Sequence, residues 1–378
     1  MRTSQHHFFD NQWKNFGNVI NQNNCQLVLA FGSSDLLTDP KIFDYLRKLY
    51  PNADIVTSST AGEIIHDGVF DNTIVATAIE LENSSLKSIK TNISQHENSY
   101  AAGVFMKDSL DADNLSGIFI ISDGLMVEGS ELVRGFSYNN TKKIPITGGL
   151  AGDAARFQKT YTGLNELPGQ GNIIAVGFYG ENIHIGHGSL GGWDEFGYER
   201  QITKSNKNVL FDVDSEKALD LYKRYLGDFA EELPGSALMF PMSMRVPGAD
   251  QYLVRTILAV DESEKSLVFA GNMPEGSTVR LMRGDIQKLI GASAIAAKDS
   301  IDSLQNHKPQ LTLLLSCVGR KIMMDSKVVE EVLAAEEVLG KDCTIAGFYT
   351  YGGLSPFGVG TPCELHNQTM TITTFSES

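Results

Sequence analysis

Three short turns hold most of the residues in this 378-residue chain that could meet a ligand. They read VTSSTAGEI at 56–64, ITGGLAGDA at 146–154 and TIAGFYTYGG at 344–353. Aligned on one another, Gly62, Gly152 and Gly352 coincide, preceded by Ala61, Ala151 and Tyr351. Glycine at such a place lets backbone approach a ligand closely or take positive φ. Ser59, Thr60, Gly149, Tyr349 and Tyr351 surround these glycines and complete a set of candidate ligand-binding positions. Glu63, Asp153 and Arg156 follow the turns. They could grip the polar ends of a small molecule or salt-bridge one another, and the two acids could hold a divalent cation through oxygen. Gly353 stands where the third turn would carry its acid.

The histidines are the other chemically capable group. His184 and His187 lie three apart on an expected strand and so point to opposite faces, which argues against joint metal chelation. His187 sits among glycines at a strand end, and His366 just before the closing strand. Each is either a hydrogen-bonded structural residue or a lone axial ligand for haem iron, which needs one imidazole nitrogen. No CxxCH motif is present, which excludes covalent haem attachment. GHGSLG at 186–191 fits G-x-G-x-x-G, but GGWDEFG follows it and will not start a helix, so it is not a dinucleotide loop. No P-loop or G-x-S-x-G elbow occurs, and nothing marks a base for Ser316 or Cys317.

The elements that must position these residues repeat with them. An apolar run precedes each turn by one helix-like stretch: LVLAFGSS from Leu27, IFIISDG from Ile118 and LLLSCVG from Leu313. A further strand-like run follows each, from Thr73, Asn172 and Gln368. The unit is β–loop–α–β–glycine turn–β, seen three times. All-apolar runs suit strands buried on both faces. Strand–helix–strand crossovers make the strands parallel. The glycine turns then gather at the carboxyl ends of the strands, where open α/β sheets bind ligands.

Composition is ordinary for a globular protein, and the length accommodates two domains. The net charge of −15 comes with no lysine- or arginine-rich run, which excludes a nucleic-acid partner or an anionic membrane surface. No apolar stretch approaches a membrane span, and the N-terminus lacks a signal core. Four cysteines without CxxC spacing read as reduced thiols of a cytoplasmic protein. Residues 1–24 read as an N-terminal extension with one short helix. Residues 73–81 with 86–92, and 172–179 with 182–190, read as hairpins. A turn-rich stretch puts a domain seam near 205–214, dividing 25–207 from 208–378. The second part reads as an amphipathic helix, four antiparallel strands, a long helix and the third unit. The fold class is α/β, a duplicated two-domain architecture with mixed sheets covered by helices. The repeat would suit a homodimer.

Several stretches together resemble the FIST family, a bacterial sensory module with N-terminal and C-terminal parts. They are STAGEI at 59–64, PITGGLAGD at 145–153, HGSLGGWDEFG at 187–197, NVLFDVDSEKALDLYKRYLG at 208–227, IAGFYTYGGLSP at 345–356 and LHNQTMTIT at 365–373. The resemblance implies ligand sensing rather than catalysis. It implies, for stand-alone chains, a haem that senses nitric oxide and acts on a histidine kinase or a cyclic-di-GMP enzyme (diguanylate cyclase or phosphodiesterase). It allows equally an amino-acid-like ligand without haem. A metal-dependent enzyme built on Glu63 and Asp153 is the rival. With haem, His366 is the first candidate ligand and His187 the second, the latter because Gly186 and Gly188 leave room for a porphyrin edge.

Overall fold

The computed structural model describes residues 1–17, 20–66, 68–249 and 251–378. Its core is the same unit built three times. In each unit the first strand lies between a parallel partner, which precedes the glycine turn, and an antiparallel one, which follows it. Leu27–Gly32 lies between Asp54–Ser59 and Ile74–Glu80. Leu115–Ser122 lies between Ile146–Leu150 and Asn172–Tyr179. Leu311–Cys317 lies between Thr344–Thr350 and Met370–Glu377.

Each unit also lends strands to the others. Past the first turn, Glu63–Ile65 joins the third unit's sheet beside Thr344–Thr350. Past the third turn, Gly352–Pro356 joins the second unit beside Ile146–Leu150. Thr162–Leu164, from the second unit, joins the first beside Asp54–Ser59. The three six-stranded sheets are thus tied in a closed cycle.

This exchange overturns the two expected hairpins. Ile74–Glu80 already has Leu27–Gly32 on one edge and Arg2–Phe9 on the other. No edge is left for Ser85–Asn92, which pairs with Asn172–Tyr179 in the next sheet. Ile183–Leu190 likewise leaves its neighbour and pairs with Met370–Glu377. The N-terminal stretch is not helical. Arg2–Phe9 and Gln12–Gly17 form a hairpin, with Asp10 and Asn11 both at positive φ as a two-residue turn requires. Trp13 from this hairpin stacks on Tyr45 at 4.5 Å.

The strands are apolar throughout because both faces are covered. Leu29, Phe31, Ile121, Phe119, Leu313 and Leu315 point inward to one cluster shared by the three sheets. Alternate residues point outward to helices, Val28 and Ala30 to Pro40–Leu49 for example. Ser99–Leu110 packs on Gly129–Phe136, and Ile286–Asp302 on Val328–Leu339, over the other sheets. The fold is α/β with mixed sheets and helical cover. The chain leaves this core after Leu190 and returns at Ile286. Between them lies a separate antiparallel sheet around helix Ala218–Leu226, with its own core of Ile202, Leu210, Tyr222, Leu267 and Phe269. Residues 205–214, the seam that composition suggests, lie in the hairpin of Trp193–Asn206 and Val209–Val213. Among the described residues no helix is long and apolar enough to cross a membrane.

Candidate functional site

The three glycine turns meet, as their common place at the strand ends requires. Gly152 N donates to Ser59 O at 2.9 Å, Ala61 N to Tyr349 O at 2.8 Å, and Thr350 Oγ1 to Leu150 O. They meet so closely that they fill the space themselves. Ser59, Thr60, Glu63, Asp153 and Tyr349 are buried, as are Gly62, Gly149, Gly152, Tyr351 and Gly352. Glu63 accepts from Thr60 Oγ1 and, at 2.8 Å, from Thr73 Oγ1. Burial lifts its pKa to about 7, against those bonds. Asp153 accepts the backbone N–H groups of Phe157, Gln158 and Lys159 at 2.8–2.9 Å, and Tyr351 donates its hydroxyl to it. Tyr351 stacks on Phe157 at 4.5 Å. Arg156 alone reaches solvent, 4.0 Å from Asp153 and 3.7 Å from Asp35. The turns are therefore a satisfied polar knot that closes the ring of sheets, and none of these eleven residues lines the cavities described below.

A buried ion pair behind the knot carries no signal in the sequence. Glu331, on helix Val328–Leu339, accepts from Arg320 Nη2 at 2.7 Å, Arg320 Nε at 3.1 Å, Ser316 Oγ at 2.9 Å and Tyr349 OH at 2.6 Å. Both charged side chains are fully buried. Arg320 Nη1 also donates to Gly191 O, where the chain leaves the core.

Neither histidine suits a porphyrin. Burial lowers the pKa of each to about 4, so both rings are neutral. His366 Nε2 donates to Ser355 O at 2.9 Å, which leaves Nδ1 as the ring's lone-pair nitrogen. Nδ1 adjoins its own Cβ, where a macrocycle would collide with the residue that holds it. His187 points to the opposite face of its strand from Gly186 and Gly188. The space those glycines leave is taken by the backbone of Ile286–Asp302, since a Cβ on either would strike Ser300 O or Ala296 O.

Open space lies instead between the core and the inserted sheet. A cleft of about 640 Å³ separates helix Gly129–Phe136 from Met242–Arg245 and Leu253–Arg255. Tyr100, Tyr138, Glu131, Asn272, Arg255 and Glu364 line it. Arg255 is the unusual member. It is 2% exposed, yet among the described residues it forms no ion pair. Nη1 donates to Leu365 O at 2.8 Å and Nε to Asn272 O at 3.3 Å, leaving Nη2 uncommitted. Burial lowers its pKa to about 10, opposed by the charges of Glu364 and Glu128. Burial raises both of those carboxyls in turn. Asn272 Nδ2 donates to Glu131 at 3.0 Å, while Asn272 Oδ1 is buried without a partner among the described residues. A guanidinium, the desolvated carboxyl of Glu364 and a spare amide oxygen converge there. Periodicity marks Arg255 only as a strand residue, and the sequence does not show that a second module covers it.

A charged cleft thus lies at the seam between the α/β core and the separate β-sheet module. Family models match nearly the whole chain, the FIST N domain over residues 26–216 and the FIST C domain over 218–356. The chain belongs to the FIST family, whose domains are small-ligand sensory domains of signal transduction. It is 23% identical over 203 residues to an uncharacterized protein of Methanocaldococcus jannaschii, the match covering 48% of this chain and 37% of that protein. It thus spans little more than a third of that relative's length. Two solved structures are distantly similar. PurLQS from Thermotoga maritima has a TM-score of 0.21 and 9% identity, over 78% of this chain and 72% of its own. Cyanuric acid hydrolase from A. caulinodans has 0.17 and 10%, over 78% and 99%. At those scores neither likeness bears on function.

Proposed function

We propose that this chain senses a small amphoteric molecule of the amino-acid class, held in the cleft at Arg255. The carrying observation is a buried guanidinium that, among the described residues, has no ion pair and leaves one terminal nitrogen uncommitted. A buried charge is costly unless paired, so a ligand carboxylate would repair the defect, and a bidentate one best. The ligand ammonium would face Glu364 and the free Oδ1 of Asn272. The cleft volume is that of an ordinary small-molecule site. A ligand spanning both walls would draw the inserted sheet onto helix Gly129–Phe136, a change that a partner could read. That partner we take, from the family resemblance, to be a histidine kinase or a diguanylate cyclase or phosphodiesterase.

The test is thermal denaturation and calorimetric titration of the whole chain against a panel of free amino acids. At least one should raise the melting temperature, as a ligand present at about 100 times its Kd adds about 2.7 kcal/mol. Arg255→Lys, which keeps charge but loses the fork, should weaken that ligand at least about tenfold. A panel with no binder, or Arg255→Lys binding as tightly as the parent, overturns the reading.

A further inference from the structure

The seam between the modules contains a second cavity, of about 350 Å³, on the other side of the strands that wall the cleft. The strand period puts it there. Leu253 and Arg255 face the cleft, and Val254 between them faces this cavity. The two spaces are therefore back to back and differently furnished.

The cavity is walled by two aromatic rings, Tyr252 and Phe357, and Phe357 meets His366 edge to face at 4.8 Å. Its floor is His366, 3% exposed. Because Nε2–H is committed to Ser355 O, Nδ1 has to accept, and among the described residues nothing donates to it. Ser189 Oγ, also in the lining, is buried without a partner among the described residues. The mouth carries the carboxylate of Asp299 and the guanidinium of Arg245. An acceptor on the floor asks for an N–H at the buried edge of a ligand. Aromatic walls ask for a flat ring. A carboxylate beside a guanidinium asks for donor and acceptor side by side on the outer edge. A purine base has all three, since its N–H groups and its ring nitrogens or carbonyls alternate around one plane. Its size suits a space at the small end of ligand pockets.

We propose that this cavity is a second ligand site, for a flat heteroaromatic base of the purine class with N–H donors on two edges. Base binding here does not depend on what occupies the cleft at Arg255. Trp193 packs against Val254 and donates its indole N–H to Gln368 O at 2.7 Å, so its fluorescence reports on the cavity wall.

The experiment titrates the whole chain with adenine, guanine, xanthine and caffeine, following fluorescence and heat. Caffeine keeps the xanthine ring and has no N–H. At least one of the three N–H bases should bind saturably, and caffeine at least about tenfold more weakly than xanthine. Asp299→Asn and His366→Leu should each weaken the bound base by about tenfold. Asp302→Asn, on the same helix outside the cavity, should not. Should His366→Leu fail to fold, Asp299→Asn at the mouth and Ser189→Ala in the lining decide, and the proposal falls if neither weakens the base. The proposal is overturned if no base saturates by about 1 mM. It is overturned equally if caffeine matches xanthine, or if Asp302→Asn weakens binding as much as Asp299→Asn.

Discussion

Replacing Glu331 by glutamine tests the buried ion pair most directly. The carboxylate takes two bonds from Arg320, one from Ser316, one from Tyr349 and a longer one from Ser293 at 3.3 Å. Glutamine removes the charge and turns one end of the group into a donor. That donor faces either the guanidinium or the two hydroxyls, all of which are donors in the native arrangement. Arg320 is left fully buried with only Gly191 O, Leu289 O and Ser293 to face. Each lost charge-assisted bond is worth roughly 1.5–3 kcal/mol, and breaking a buried pair costs about 3–5 kcal/mol in all. At roughly 1–2 °C per kcal/mol for a chain of this length, the melting temperature should fall by about 5 °C. Denaturant and thermal unfolding of the whole chain measure both. The double change Arg320→Met with Glu331→Leu should lose less than Glu331→Gln alone, because no charge is stranded. A cost below about 1 kcal/mol for Glu331→Gln, the size of an exposed pair, would refute the reasoning.

Gly188→Ala puts a methyl against the carbonyl of Ala296, which belongs to backbone and cannot rotate away. It should cost at least about 1–3 kcal/mol in thermal unfolding, and a neutral result would mean that Ile286–Asp302 is not seated as described. Glu63 is held near pKa 7 in the fold against an ordinary 4.5. The folded state thus keeps its proton where the unfolded chain has lost it, and stability should fall by about 3 kcal/mol as pH rises from 4.5 to 7. Glu63→Gln should flatten that part of the pH–stability curve; an unchanged slope assigns it to other groups. Protein made with ample haem should show no Soret band that depends on His366 or His187. A band lost in His366→Ala would overturn the account of that ring's tautomer.

The repeat is legible in the sequence because its signals are local. An apolar run and a glycine turn each need only a few residues, and the parallel pairs follow from the crossover rule. Strand exchange is not legible. Ser85–Asn92 sits four residues past Ile74–Glu80 and looks like its hairpin partner, and only the edge already taken by Arg2–Phe9 forbids it. The same turns that suggest a site at Ser59, Glu63 and Asp153 prove to be packed on one another, since glycine serves close approach to backbone as well as to ligands. GRKIMM and VVEEVL give no sign that Arg320 and Glu331 will meet. Arg255 becomes chemically unusual only once a separate module removes it from water.

The exchange of strands has a consequence for where the polypeptide can be cut. Besides the crossings at the glycine turns, the chain passes between sheets at two further corners: Leu81–Ser84 carries it from the first sheet into the second, and Gly180–Asn182 from the second into the third. At the third such corner the chain has its two ends. Glu377 finishes the last strand of the third sheet, Arg2 starts the strand beside Ile74–Glu80 in the first, and the amino group of Met1 lies 2.9 Å from the Glu377 carboxylate. Hydrogen bonds from Glu82 and Asn83 to the same carboxylate, both at 2.8 Å, hold the corner shut. An ionic contact thus does there what a peptide segment does at the other two. A short linker from 378 to 1, with a new opening at Gly180–Asn182, would move the gap one place around the ring and leave every sheet with the same six strands.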